Sequence, residues 1–78
     1  MDDFPFDQEL DCSGLSCPMP ILKTKKMLDT LASGQVLKMI ATDAGSVPDV
    51  NAFVAKTGHE LLGHDEADGK FTFYIKKS

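Results

Sequence analysis

The chain has 78 residues, 42% hydrophobic and 26% charged, with a formal net charge of −4. That length holds one core of two packed layers, buries only about 60% of the surface an unfolded chain exposes, and leaves no room for a deep enclosed active site. The acidic balance argues against nucleic acid as a main ligand, because affinity for phosphate backbones comes from Lys and Arg; no apolar run approaches the ~18 residues that would span a membrane as a helix.

The first residues, Met1-Asp2-Asp3-Phe4-Pro5, are acidic and carry neither a basic nor an apolar stretch of signal-peptide type. A secretory leader is therefore not expected, and a cytoplasmic location is. Residues 1–6 read as a flexible tail and residues 7–78 as a single domain. Asp7 to Cys12 reads as a short strand with Leu10 as its core residue, and Cys12-Ser13-Gly14-Leu15-Ser16 as a turn in which Gly14 supplies backbone freedom. A helix is expected from about Pro18 to Ala32. Pro18 and Pro20 fall in its first turn, where a missing N–H costs nothing, and Gly34 suits its stop. At 100° steps, Ile21, Thr24, Met27, Leu28, Leu31 and Ala32 share the core side, and Lys23, Lys25 and Lys26 lie off it.

Val36 to Ala41 is nearly all apolar apart from Lys38, the pattern of a central strand covered on both sides. Ser46-Val47-Pro48-Asp49 resembles a capping box with Ser46 as the cap, after which Val47, Val50, Phe53 and Val54 form a buried stripe that ends at Gly58. Glu60 to His64 reads as a strand, Glu66-Ala67-Asp68-Gly69 as a turn, and Lys70 to Lys76 as an alternating strand. In that last strand Phe71, Phe73 and Ile75 point inward, and Thr72, Tyr74 and Lys76 outward. The order is β-α-β-α-β-β. A right-handed crossover makes the first two strands parallel and the last two form a hairpin. The expected fold is an α/β two-layer sandwich, with two helices on one face of a four-stranded mixed sheet.

Two cysteines, Cys12 and Cys17, are too few for a disulfide framework. Cys17 directly precedes Pro18, at the expected N-cap, where free N–H groups and the helix dipole would stabilise a thiolate, and a persulfide anion equally. No His, Lys or second Cys adjoins it in sequence as a hydrolase or disulfide reductase would require, and the spacing to Cys12 is C-x4-C, not C-x-x-C. An activated sulfur without its own acid or base suits a carrier whose partner brings the remaining chemistry.

The segment Asp11-Cys12-Ser13-Gly14-Leu15-Ser16-Cys17-Pro18-Met19-Pro20 resembles the signature of the TusA (SirA-like) family: an Asp, then Gly-Leu, then Cys-Pro-x-Pro opening a helix. Gly58-His59-Glu60-Leu61 is similar to the family's Gly-His-Glu-Leu, and the likeness runs from about residue 7 to residue 77. This resemblance implies strand order 1-2-4-3. It implies that Cys17 takes persulfide sulfur from a cysteine desulfurase or rhodanese and passes it to an acceptor, often a DsrE-type protein. The served pathway would be tRNA thiolation, molybdenum cofactor supply or sulfur oxidation. No cofactor is implied, and the role is that of a sulfurtransferase partner in a protein-to-protein relay rather than a free-standing enzyme. Gly14, Pro18 and Pro20 would support the loop and helix start. Cys12 departs from the family pattern.

Cys12 reads either as a small buried residue or as a resolving thiol for Cys17. Met19, Leu22, Lys23 and Lys26, near Cys17 and off the core face, read either as ordinary surface or as a docking patch for donor and acceptor. His59 and His64, expected on opposite faces of a strand, do not suit zinc, and no metal is expected. The acidic residues Asp43, Asp49, Asp65, Glu66 and Asp68 are explained by turns and caps. A monomer suits a shuttle. Two other readings stand beside the carrier: a thiol-redox protein using a Cys12–Cys17 disulfide, and a non-catalytic interaction module in which Cys17 is structural.

Overall fold

In Val36–Ala41 every second side chain is fully buried: Leu37, Met39 and Ala41. The same two-residue period in Lys70–Lys76 buries Phe71, Phe73 and Ile75. These two runs pair antiparallel, Leu37 opposite Ile75 and Met39 opposite Phe73, and so present one continuous apolar face. The computed structural model, which describes residues 5–16 and 18–78, builds the rest of the domain on that face. Its elements are β1 (Gln8–Cys12), α1 (Met19–Asp29), β2 (Val36–Ala41), α2 (Ser46–Thr57), β3 (Glu60–Ala67) and β4 (Lys70–Lys76). The sheet order is β1-β2-β4-β3, with β1 and β2 parallel and the other pairs antiparallel. Helix α1 packs on β1 and β2, and α2 on β3 and β4. Leu28, Leu31 and Val50 from the helical layer meet Cys12, Leu37, Met39, Phe73 and Ile75 from the sheet in one core. Burial of a ring such as Phe73 contributes about 2–3 kcal/mol.

Several boundaries move from the sequence expectation. Helix α1 ends at Asp29, not Ala32. The Thr30 hydroxyl donates to the Met27 carbonyl at 2.6 Å and the Lys77 ammonium to the Leu28 carbonyl at 2.7 Å, so the last turn is closed by side chains. Leu31 stays buried beyond the helix, whereas Ala32 is exposed. Ser46 does not cap α2. Gly45 holds the N-cap, Ser46 lies inside the first turn, and its buried Oγ has no hydrogen-bond partner among the described residues. Asp43 orders that entry instead, accepting Gly45 N–H on Oδ1 at 3.1 Å and Ser46 N–H on its carbonyl at 2.9 Å.

Strand β3 runs to Ala67, three residues past the expected His64. It is an edge strand, and its ladder to β4 is a backbone matter that the charged side chains of Asp65 and Glu66 do not prevent. The hairpin then turns on two residues alone, Asp68 (φ 53°) and Gly69 (φ 77°), a pair of left-handed conformations that Asp-Gly accommodates. A register shift between Leu61 and Gly63 resets the alternation of β3. His59 therefore packs on Phe53 of α2 (5.8 Å between ring centroids), and His64 stacks on Phe73 (5.9 Å); both rings meet helix-side residues, contrary to the opposite faces expected.

On the helix-free face, Tyr74 is only 3% exposed although the alternation points it outward. Phe6 covers it at 6.4 Å, and the Lys38 ammonium sits 5.1 Å from the Phe6 ring and 5.9 Å from that of Tyr74. Phe6, expected in the tail, is thus part of the fold. Its neighbour Asp7 pairs with Val36 twice, through Asp7 N–H to the Val36 carbonyl and Val36 N–H to the Asp7 carboxylate, each at 2.8 Å.

Candidate functional site

The parallel strands β1 and β2 end side by side, Cys12 opposite Ala41, and both loops that follow leave the sheet at this end. Ligand and reaction sites of α/β sheets form outside the carboxyl ends of parallel strands. Cys17 belongs to the first of these loops by sequence and lies outside the described residues.

Before it, three successive N–H groups of the turn are bonded. Leu15 N–H donates to the Cys12 carbonyl at 3.1 Å, closing a tight turn with Gly14 at φ +82°. Ser13 N–H donates to Asp11 Oδ1 at 2.9 Å, and Gly14 N–H to Thr42 Oγ1, also at 2.9 Å. Hydrogen bonds from Ser13, chiefly its side chain and then its backbone, hold the Asp11 carboxyl below its ordinary value, with the Lys70 charge adding to the effect. The Leu15 side chain packs against the core.

After it, Pro18 holds the N-cap and Met19 is the first helical residue, so Cys17 precedes the cap by one position rather than occupying it. The donor supply at this helix end is also smaller than the sequence suggested. Pro18 and Pro20 have no N–H, and Met19 N–H is already given to the Ser16 carbonyl at 2.9 Å. The α1 dipole remains, but a ring of free first-turn donors does not. Pro20 is fully buried, which seats the first turn against the core.

Cys12 sits at the end of β1 with no exposed surface, and its thiol is free. Burial pushes that thiol up; the Lys23 ammonium pulls it the other way, and Asp11 adds to the rise. A buried thiol with its proton held more tightly is a poorer attacking nucleophile, which weighs against a resolving role. Met19 and Leu22 are 41% and 49% exposed, and Lys23 and Lys26 are exposed beside them. Lys25 pairs with Asp29 at 3.9 Å. Among the described residues no three His, Cys, Asp or Glu side chains gather as a cation cage, and no helix is long and apolar enough to cross a membrane. An open groove lined by Phe6, Val36, Leu62 and Lys76 lies at the opposite end of β2 and takes no part in the loop.

Thr42, which holds the turn before Cys17, and Asp43, which orders the entry of α2 next to it, were not singled out as site residues from sequence. The available signals were a Thr placed directly after a strand and the Asp43-x-Gly45 spacing of a side-chain-closed turn.

The sequence profile of the family described as Sulfurtransferase TusA matches residues 8–77. The chain is 62% identical over 73 residues to the sulfur carrier protein TusA of Allochromatium vinosum, covering 94% of this chain and 96% of that one. It is 43% identical over 77 residues to the sulfur carrier protein TusA of Pseudomonas entomophila, covering 99% and 96%. The crystal structure of a SirA-like protein from Desulfitobacterium hafniense has the same fold, with a TM-score of 0.81 at 24% identity over 90% of this chain and 96% of that one.

Proposed function

Since the chain belongs to the sulfurtransferase TusA family, we propose that it is a sulfur carrier holding sulfane sulfur as a persulfide on Cys17. The observation that carries this reading is the anchored turn and proline-started helix on either side of Cys17, at the carboxyl ends of the two parallel strands. That arrangement presents a short loop at the protein edge, beside the positive end of a helix.

In the loading step the Cys17 thiolate attacks the outer sulfur of a donor persulfide on a cysteine desulfurase or rhodanese. A new S–S bond forms on Cys17, the donor's S–S bond breaks, and the donor cysteine leaves as a thiolate. In the unloading step an acceptor thiolate, for instance of a DsrE-type protein, attacks the outer sulfur and Cys17 leaves as a thiolate. The sulfur atom moves without net oxidation or reduction. The α1 dipole favours the anion in both steps. Met19 and Leu22, with Lys23 and Lys26 around them, form the docking patch for donor and acceptor. The work takes place in the cytoplasm, in tRNA thiolation or sulfur oxidation, which would use the same surface.

The test is intact-mass spectrometry after incubation with a cysteine desulfurase and cysteine, for wild type, Cys12→Ser and Cys17→Ser. The expected outcome is a gain of one sulfur atom, reversed by dithiothreitol, in wild type and Cys12→Ser and absent from Cys17→Ser. No gain, or a gain that follows Cys12, overturns the reading.

A further inference from the structure

We propose that Thr42 is a positioning residue for the reactive loop: from the end of β2, its hydroxyl sets the orientation of the turn that leads into Cys17. The consequence for sulfur transfer rests on the carrier reading above, whereas the positioning itself does not. Three N–H groups of the turn are taken. Two go to acceptors within or next to it, Asp11 Oδ1 and the Cys12 carbonyl. Both acceptors belong to the end of β1, so these bonds fold the turn back onto the strand it continues. The third, Gly14 N–H to Thr42 Oγ1 at 2.9 Å, spans 28 residues of sequence and ties one crossover loop to the other. Leu15 packs the turn against the core through its side chain, but neither it nor the two bonds to β1 reaches the second loop. The bond to Thr42 supplies the attachment across to the neighbouring loop. Thr42 directly follows Ala41, which is paired with Cys12 in the parallel ladder, so the acceptor is held by the sheet itself. Beyond Cys17, Met19 and Leu22 N–H groups bond to the Ser16 and Pro18 carbonyls and fix the helix start. Cys17 is therefore the link between an anchored turn and an anchored helix. Loosening one anchor is expected to change the reactivity of the thiol between them.

The experiment compares wild type, Thr42→Val and Thr42→Ser. Valine keeps the shape and removes the acceptor; serine keeps the acceptor. The rate of Cys17 alkylation by iodoacetamide is followed against pH by peptide-resolved mass spectrometry, with buried Cys12 as the internal reference. Thr42→Val is expected to slow Cys17 at neutral pH by roughly three- to tenfold, the equivalent of one hydrogen bond, and to move its pH midpoint upward. Thr42→Ser is expected to restore the wild-type profile, and Cys12 to stay protected throughout. A Cys17 profile unchanged in Thr42→Val, or serine behaving as valine does, overturns the proposal. So does new reactivity of Cys12 in Thr42→Val, which would show that the whole fold had loosened. Alkylation needs no sulfur donor. Failure of wild type to take up sulfur would sink the carrier reading and leave the positioning role to be decided by these profiles.

Discussion

Cys12 and Cys17 are the same residue type five positions apart, and their surroundings divide their chemistry. Cys12 ends a buried strand, with its thiol pushed up by loss of solvent. It is expected to resist alkylation at neutral pH in the native protein and to react fully once the chain is unfolded in urea. The sign of its contribution to stability follows from the direction of the shift. The folded state holds the proton more tightly than the unfolded one, so the contribution is complete below the unfolded thiol pKa of ~8.5 and is lost as pH rises through the higher folded value. Urea titrations of wild type should therefore show stability falling on the alkaline side, and Cys12→Ala should flatten that fall whatever it does to stability at neutral pH. An identical alkaline slope in the variant would mean that Cys12 is not the titrating group.

Helix α1 shows how an element is built for two faces. Its inner side carries Pro20, Thr24 and Leu28, all fully buried, and its outer side carries Met19, Leu22, Lys23 and Lys26. Thr24 is the anomaly of the inner side, since its hydroxyl is buried and finds no hydrogen-bond partner among the described residues. A buried, unsatisfied hydroxyl costs about 1–3 kcal/mol, and valine matches threonine in shape and nearly in helix propensity. Thr24→Val is expected to raise the free energy of unfolding by about 1 kcal/mol, read from the urea midpoint at unchanged slope. A loss of stability would show that Thr24 has a partner after all.

At the scale of the molecule, charge is unevenly spread. The chain carries a net −4, yet three of its eight basic residues, Lys23, Lys25 and Lys26, lie on α1 beside the exposed Met19 and Leu22. Electrostatic complementarity of this kind acts mainly on association rate and choice of partner, and it weakens with salt. Replacing Lys23 and Lys26 together by Gln is expected to slow sulfur uptake from a desulfurase roughly tenfold at low salt and to flatten its salt dependence, with little effect on loading by inorganic polysulfide. Leu22→Asp should act in the same direction on uptake from the protein donor. Equal rates from the protein donor for all these variants would remove α1 from the docking surface.

Much of this was legible in one sequence because it is local. The alternation of Phe71, Phe73 and Ile75, the Asp68-Gly69 turn and the proline-started helix each depend on residues close along the chain, and β2 and β4 fall where the pattern puts them. The Cys-Pro-x-Pro motif and its Gly-Leu approach identify the family by the same local means. What only the tertiary structure decided depends on pairing between distant residues. Strand β3 extends through Asp65 and Glu66 because β4 supplies its hydrogen bonds, not because its own side chains call for a strand. Tyr74 is buried because Phe6 lies over it, Ser46 is withdrawn from capping because the helix starts at Gly45 after a turn closed by Asp43, and Gly14 is held because Thr42 stands at the end of a neighbouring strand. Composition and periodicity report which face a residue prefers. Which partner waits on that face is set by how the chain folds back on itself.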